Sequence, residues 1–252
     1  MKSEIIEKMQ QMRLYGMLRA YNHVFENPQE SLSSDELIEH LIDWEYSDRN
    51  NRSVQRLLRM AHFRYKAAIE QIDYHSERSI DKTMIQRLAS GHYLLQAQNV
   101  LISGSTGTGK SYIATALGRE ACGQRNRVLY ANTARLLTSL KIFKSEGTLI
   151  KELGKIEKAQ LLILDDFGLQ PLDAIARSLL MDIMEDRHGR SSTMIVGQIP
   201  IESWHSVIGD PTMADALLDR WVHGSYRIEL QGESMRRKVA QNRLIKTEKE
   251  VL

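Results

Sequence analysis

Residues 104–111 read Gly104-Ser105-Thr106-Gly107-Thr108-Gly109-Lys110-Ser111. Every fixed position of the phosphate-cradling pattern G-x-x-x-x-G-K-[ST] is filled. At average residue frequencies a chance match in a chain of this length is on the order of one in a hundred. Glycines let backbone N–H groups turn toward phosphate oxygens, and a helix starting at the loop adds its positive end. Lys110 brings a point charge to β- and γ-phosphates, and the Ser111 hydroxyl can ligate Mg²⁺. The run Leu161-Leu162-Ile163-Leu164-Asp165-Asp166 supplies the metal side, with Asp165 fifty-five residues after Lys110. Four apolar residues bury a strand, and acids emerge where open parallel sheets bind ligands. Asp165 is placed to hold Mg²⁺ through water, and Asp166 to orient or deprotonate an attacking water.

A nucleoside triphosphate site gains speed from a cation that meets charge on the transferring phosphoryl group. Two segments offer one. Arg220 ends the apolar run Ala216-Leu217-Leu218-Asp219-Arg220; it is either a residue supplied to an adjacent subunit or a surface salt bridge to Asp219. Gly232-Glu233-Ser234-Met235-Arg236-Arg237-Lys238 is a basic cluster that either reaches the γ-phosphate of its own chain or is a solvated helix start.

The elements that must position these groups divide the chain in two. Residues 1–80 read as all helix: apolar residues recur at helical spacing from Ile5 to Phe25 and Pro28 closes that stretch. Ser33 with Glu36 forms a capping box, and a third helical stretch covers Val54 to Ile72. Residues 73–90 are more polar and read as a connection. From about residue 90 onward, short apolar runs alternate with helical patterns, which predicts an α/β domain with a mostly parallel sheet, assigned to residues 81–252. Strands are expected at 99–103, 127–131, 160–165, 193–196 and 226–230. Helices are expected from the loop to Cys122, over 134–158 as a pair, over 173–187 and near 212–222. A basic helical tail follows Glu233.

Composition narrows the function. The 252 residues are 42% hydrophobic, enough for a large core, and the net charge of +2 excludes a uniformly basic coat. Apolar runs are too short for a membrane span, the start carries acids rather than a signal segment, and one cysteine suits a reducing cytoplasm. Histidines show no metal-ligand spacing, and no nucleophile or acid triad for strand cleavage is present. Basic residues are instead arranged by position. Arg49, Arg52, Arg56, Arg59 and Lys66 fall within about 100° of arc at ~100° per residue, opposite Val54, Leu57, Leu58 and Ala61. No acid lies between Arg49 and Lys66. That is either a stripe for phosphates of duplex DNA, independent of sequence, or an ordinary amphipathic helix. Lys141 and Lys144 open a second series with Lys151, Lys155 and Lys158, diluted by Glu146, Glu152 and Glu157.

These residues together resemble the IstB-like helper ATPases of insertion-sequence transposition. The resemblance rests on the loop 104–111, the run Leu-Leu-Ile-Leu-Asp-Asp-Phe-Gly at 161–168, Asp219-Arg220, Gly-Glu-Ser-Met-Arg at 232–236, Leu14-Tyr15-Gly16-Met17 and the segment 43–52. It covers nearly the whole chain. It implies an AAA+ fold related to bacterial helicase loaders, ATP and Mg²⁺ as cofactors, and an ATPase whose homo-oligomer has its nucleotide site at the subunit interface. It further implies a cytoplasmic protein that binds duplex DNA, selects and remodels the target and delivers it to the transposase of the same element, without cutting DNA itself. Residue by residue, Lys110 and Ser111 match the Walker A positions, Asp165 the Walker B metal position, Arg220 the arginine finger and Arg236 the second sensor arginine. Gln198, after the fourth strand, is the only polar sensor on offer. Many AAA+ proteins carry Asp-Glu where this chain has Asp165-Asp166, which implies slow hydrolysis. The chain ends soon after Arg236, which implies no full C-terminal lid, as in helicase loaders. The competing readings are a replication helicase loader, a P-loop small-molecule kinase and an adaptor whose nucleotide is structural.

Overall fold

The computed structural model describes residues 2–26, 33–74, 79–235 and 237. They form two compact units, 1–56 and 57–252.

The first unit holds α1 (Lys2–Gln11), α2 (Tyr15–Glu26) and most of α3 (Ser34–Met60). Ser33 and Glu36 form the expected capping box, with Ser33 N–H on Glu36 Oε2 at 2.8 Å and Glu36 N–H on Ser33 Oγ at 3.3 Å. Asn50, Asn51 and Ser53 do not interrupt α3. The pairs Glu45–Arg49 and Asp48–Arg52 bridge successive turns there, in the favourable order of acid before base. α2 crosses α3 at Gly16, where a Cβ would lie 2.4 Å from the Trp44 carbonyl oxygen. The buried Glu45 carboxylate caps α2 from across this crossing, accepting from Gly16 N–H at 2.8 Å and Met17 N–H at 3.2 Å. Burial pushes that carboxyl up, but Arg49 and the two N–H groups hold it net below its ordinary value. The segments 14–17 and 43–52 are therefore two halves of one joint.

The division between units falls at residue 56, not near 80. The helix expected over Val54–Ile72 stops at Met60, because His62 takes a positive φ of 57°. The residues that follow join the core of the second unit: Ala61, Ala67 and Ile72 are buried there, with Leu57, Leu58 and Phe63 packed against it. The stretch 73–90, read as a connection, contains α4 (Lys82–Ala89), and a short α5 (His92–Leu95) follows it.

The second unit is the expected α/β domain. Strands β1 (Val100–Gly104), β2 (Val128–Asn132), β3 (Leu161–Phe167), β4 (Ser192–Gly197) and β5 (Tyr226–Leu230) form one sheet in the order β2-β3-β4-β1-β5. All neighbours are parallel. Alternate strand residues serve opposite faces. Leu161 and Ile163 pack with α6 (Lys110–Gly123) and α4, while Leu162 and Leu164 face α7 (Thr133–Ser145), α9 (Ala174–Arg187) and α11 (Pro211–Val222). The elements α8 (Leu149–Glu157) and α10 (Trp204–Ile208) complete that second layer.

One charge is buried within it. Arg187, 1% exposed, donates to the carbonyl oxygens of Ile156 (2.9 Å), Ala159 (2.8 Å) and Ser192 (2.5 Å), and to Thr193 Oγ1 (3.1 Å). Burial pulls its guanidinium down to about 10, still charged at neutral pH. It stitches the end of α8 to the start of β4. Among the described residues no helix is long and apolar enough to cross a membrane.

Candidate functional site

β1 leads into the loop and α6 begins at Lys110 itself, so the loop N–H groups and the helix end converge on one place. Gly107 and Gly109 have φ of 82° and 95°, conformations that L side chains rarely adopt. Gly107 is constrained a second time: a Cβ there would lie 2.1 Å from Ser234 Oγ. The Met235 N–H also donates to the Gly107 carbonyl oxygen at 2.9 Å. The run after β5 thus rests on the phosphate loop. Lys110 is buried, and its Nζ donates to the carbonyl oxygens of Gly104 (2.6 Å) and Ser105 (2.7 Å).

β3 delivers the two acids beside this loop. Asp165 is 1% exposed. Its Oδ1 accepts from the Ser111 hydroxyl at 3.0 Å and from the Asp166 N–H at 2.9 Å. Its Oδ2 accepts from the Tyr130 hydroxyl, and its backbone carbonyl from the Thr133 hydroxyl at 2.9 Å. Burial, and then the Asp165 carboxylate, push the Tyr130 phenol far above its ordinary value, so it stays a donor. Asp166 sits where the β3–β4 register shifts, with a positive φ of 58°. Aspartate is among the few residues other than glycine at home in that region. Its Oδ2 accepts from the Asn132 amide at 2.9 Å and faces Arg64 at 3.6 Å.

A cavity of about 760 Å³ joins these parts. Thr106, Gly107, Gly109, Lys110 and Ser111 form one side, and Asp166 and Gln198 another. The rest of the lining is amphipathic, with Tyr65, Ile72 and Tyr112 beside Arg64, Gln71 and Asp73. The Tyr112 hydroxyl donates to Gln71 Oε1 at 3.0 Å, which fixes this wall to α6. The donor set fits a magnesium nucleotide. Hydroxyl and carboxylate oxygens suit Mg²⁺, which leaves its other positions to phosphates and water. No cluster of three or more His, Cys, Asp or Glu suited to another metal occurs among the described residues.

Sequence reasoning missed Arg64, Gln71, Tyr112, Tyr130 and Asn132. Tyr130 and Asn132 carried a usable signal, since they are the polar residues of the strand that neighbours β3. Arg64 and Gln71 carried none.

Arg220 does not join this site within its own chain. Asn99, just before β1, donates to the Arg220 carbonyl oxygen at 2.9 Å, so Arg220 lies by the foot of β1 while the loop leaves its top. Four strand steps of about 3.3 Å separate the two ends, roughly 13 Å. Its guanidinium donates to the Ala216 carbonyl oxygen at 2.8 Å and reaches Glu185 Oε1 at 3.4 Å. The ion pair is with Glu185, not with Asp219. Arg236 lies outside the described residues, as does the tail beyond 237.

The basic stripe is not uniform. In the first unit Arg49 pairs with Glu45 at 2.6 Å and Arg52 with Asp48 at 2.6 Å. Arg56 and Arg59 are exposed on α3 and make no ion pair among the described residues. Lys66 lies beyond the end of the helix. Arg13, in the turn between α1 and α2, lines a groove of about 450 Å³ with Arg49, Arg52 and Arg56. In the second series Lys141 is tied to Asp173, the N-cap of α9, at 2.5 Å, and Lys144 is exposed.

Replacing Lys110 removes the charge aimed at the phosphates and leaves backbone donors alone. Hydrogen bonds to charged groups contribute about 1.5–3 kcal/mol. Lys110→Ala is therefore expected to weaken nucleoside triphosphate binding about 10- to 100-fold in calorimetric titration; unchanged affinity would remove the loop from the site.

Comparison with known proteins agrees with this geometry. A family described as IstB-like ATP binding protein matches residues 7–243. The putative insertion sequence ATP-binding protein y4pL of Sinorhizobium fredii is 42% identical over 233 residues, covering 92% of this chain and 95% of its own. The IS21 putative ATP-binding protein of Pseudomonas aeruginosa is 30% identical over 194 residues, covering 77% of this chain and 73% of its own. Among solved structures, the DnaC helicase loader superposes with a TM-score of 0.56 at 18% identity, over 66% of this chain and 97% of its own. AMPPCP-bound DnaA from Aquifex aeolicus superposes with a TM-score of 0.59 at 18% identity, over 73% and 56%. These structures share the fold.

Proposed function

This chain belongs to the IstB-like family of insertion-sequence ATP-binding proteins, and from that premise we propose that it is an ATP-switched assembly factor on DNA. With ATP bound it forms a homo-oligomer on duplex DNA, selects and remodels the target, and delivers it to the transposase of the same element. Hydrolysis releases the subunits. The observation that carries this reading is that Lys110, Ser111 and Asp166 line one cavity, with Asp165 directly behind them, bound to the Ser111 hydroxyl and the Asp166 N–H.

In this reading the loop N–H groups and Lys110 grip the phosphates, and the amphipathic part of the lining takes the base. Ser111 and Asp165 would hold Mg²⁺, which supplies charge neutralisation at the β- and γ-oxygens. Asp166 orients the attacking water. Its carboxylate is held by Asn132 and Arg64, and must be freed from them to take a proton. Gln198 faces the same space as a polar sensor. Arg220, remote from its own loop, serves the nucleotide of a neighbouring subunit.

DNA is held through phosphates. The arginines of the stripe contribute unequally. Arg49 and Arg52 are engaged by Glu45 and Asp48, and Arg13, Arg56 and Arg59 retain their charge for a partner. Lys144 offers a further contact and Lys66 a lesser one. Each phosphate that the protein ceases to neutralise lowers the slope of log affinity against log salt by about 0.9. Replacing Arg13, Arg56 and Arg59 together by Ala is expected to reduce that slope by about 2.7 and to weaken random and target duplexes alike. Fluorescence anisotropy across a salt series decides it: an unchanged slope makes these arginines a solvated surface. A loader of replication helicase shares this fold, but a relative of 42% identity named for an insertion sequence favours the transposition role.

A further inference from the structure

Tyr130 is the buried group that touches the metal-side carboxylate without belonging to the phosphate loop or to the acid pair. It is the third residue of β2 and pairs in register with Ile163, and Asn132 pairs with Asp165. Its side chain therefore runs beneath the carboxylate and reaches up to it. The Tyr130 hydroxyl donates to Asp165 Oδ2, while Ser111 and the Asp166 N–H occupy Oδ1. Each oxygen of Asp165 thus has its own donor, which fixes the rotation of the carboxyl group. Without the phenol, only Oδ1 is held, and the group is free to turn about its Cβ–Cγ bond.

The ring itself is fixed. Phe63 packs edge-on against it with centroids 6.1 Å apart, and the Tyr130 N–H donates to the Ala61 carbonyl oxygen at 3.0 Å. A residue that serves only to fill the core needs no hydroxyl here, since the ring already buries its apolar edges. The hydroxyl is directed to one acceptor, and that acceptor faces the Ser111 oxygen.

We propose that Tyr130 is a positioning residue for the divalent cation, holding Asp165 in the one rotation that faces Ser111. The proposal rests on the reading of Ser111 and Asp165 as the Mg²⁺ side of a nucleotide site. Groups that orient metal ligands from behind typically change metal affinity about 10- to 100-fold when removed.

The test uses the full chain with Tyr130→Phe, which keeps the ring and deletes one oxygen, and Ser111→Ala as the reference. Affinity for a fluorescent ATP analogue is measured in EDTA and then across a Mg²⁺ titration, and Mn²⁺ binding to the nucleotide complex is followed by electron paramagnetic resonance. Tyr130→Phe is expected to keep the metal-free nucleotide affinity and the metal-free unfolding temperature close to the parent's. The half-saturating concentration of Mg²⁺ and of Mn²⁺ is expected to rise about 10-fold or more. If Ser111→Ala shifts that concentration and Tyr130→Phe does not, the phenol is a packing group and the proposal fails. If neither variant shifts it, the reading of the metal side fails first. If Tyr130→Phe weakens metal-free nucleotide binding by the same factor as metal binding, the phenol is a general structural support, and the positioning role is overturned.

Discussion

Arg220→Ala is expected to bind ATP as the parent does and hardly turn it over. A finger arginine contributes about 10³–10⁵ in rate, and within one chain the Arg220 guanidinium lies at the opposite end of β1 from the loop. A chain acting alone therefore has no access to that factor. Mixing Arg220→Ala with Asp166→Asn is expected to restore turnover on DNA, because some interfaces then join an intact Arg220 to an intact Asp166. ATPase rate against mixing ratio, with exchange of subunits shown independently, measures this. No rise above the sum of the two separate variants sinks the assignment. Glu185→Gln supplies a control for the local ion pair: it removes the acid at 3.4 Å and leaves the arginine. If Arg220 were only a strut to Glu185, both variants would lose the same activity. As a finger, only Arg220→Ala loses it.

The second large effect concerns stability. Arg187→Leu is expected to cost about 3–5 kcal/mol, since several buried acceptors lose their donor at about 1–3 kcal/mol each. Leucine keeps most of the volume, so the loss comes from acceptors. The carbonyl oxygens of Ile156, Ala159 and Ser192 and the Thr193 hydroxyl would each lose a donor in a dry place. At about 2–4 °C per kcal/mol for a domain of this size, the unfolding temperature should fall by roughly 10 °C. Calorimetry of the ligand-free protein checks it. A shift below about 2 °C would mean that water or backbone movement replaces the guanidinium. Arg187→Lys should fall between, since one ammonium cannot serve four acceptors spread over α8 and β4.

The sheet was legible because its strands are short apolar runs ending in turn residues. The acid pair was legible because burial of Leu161–Leu164 forces Asp165 and Asp166 to the strand edge. The helix read through Val54–Ile72 failed for a reason no local pattern carries. Its end is set by His62 in a left-handed conformation and by the Ala61 carbonyl joining β2, a partner far away in sequence. The small helices at 82–95 escape notice because Ile85, Leu88 and Tyr93 are the only side chains there that are fully buried. At the site, the phosphate loop and acids followed from residue types and spacing. Arg64 did not, because a lone exposed arginine reads as solvated until its distance to Asp166 is known. The pairing of two stripe arginines was not legible either. The acids that neutralise Arg49 and Arg52 lie at 45 and 48, just outside the acid-free interval from Arg49 to Lys66.

Residues 61–64 bear on both acids, on Asp166 directly and on Asp165 through Tyr130. Ala61 and Phe63 hold Tyr130, which holds Asp165, and Arg64 faces Asp166. The segment follows directly on Met60, the last residue of the helix that carries Arg56 and Arg59. A duplex that displaces residues 61–64 would change metal affinity and water activation together, as one event. Linkage then runs both ways. Whatever factor DNA applies to binding of the magnesium nucleotide, the magnesium nucleotide must apply to DNA. If that coupling is positive, loss of the γ-phosphate loosens the grip on the duplex by the ratio of the triphosphate and diphosphate factors, with no separate release signal.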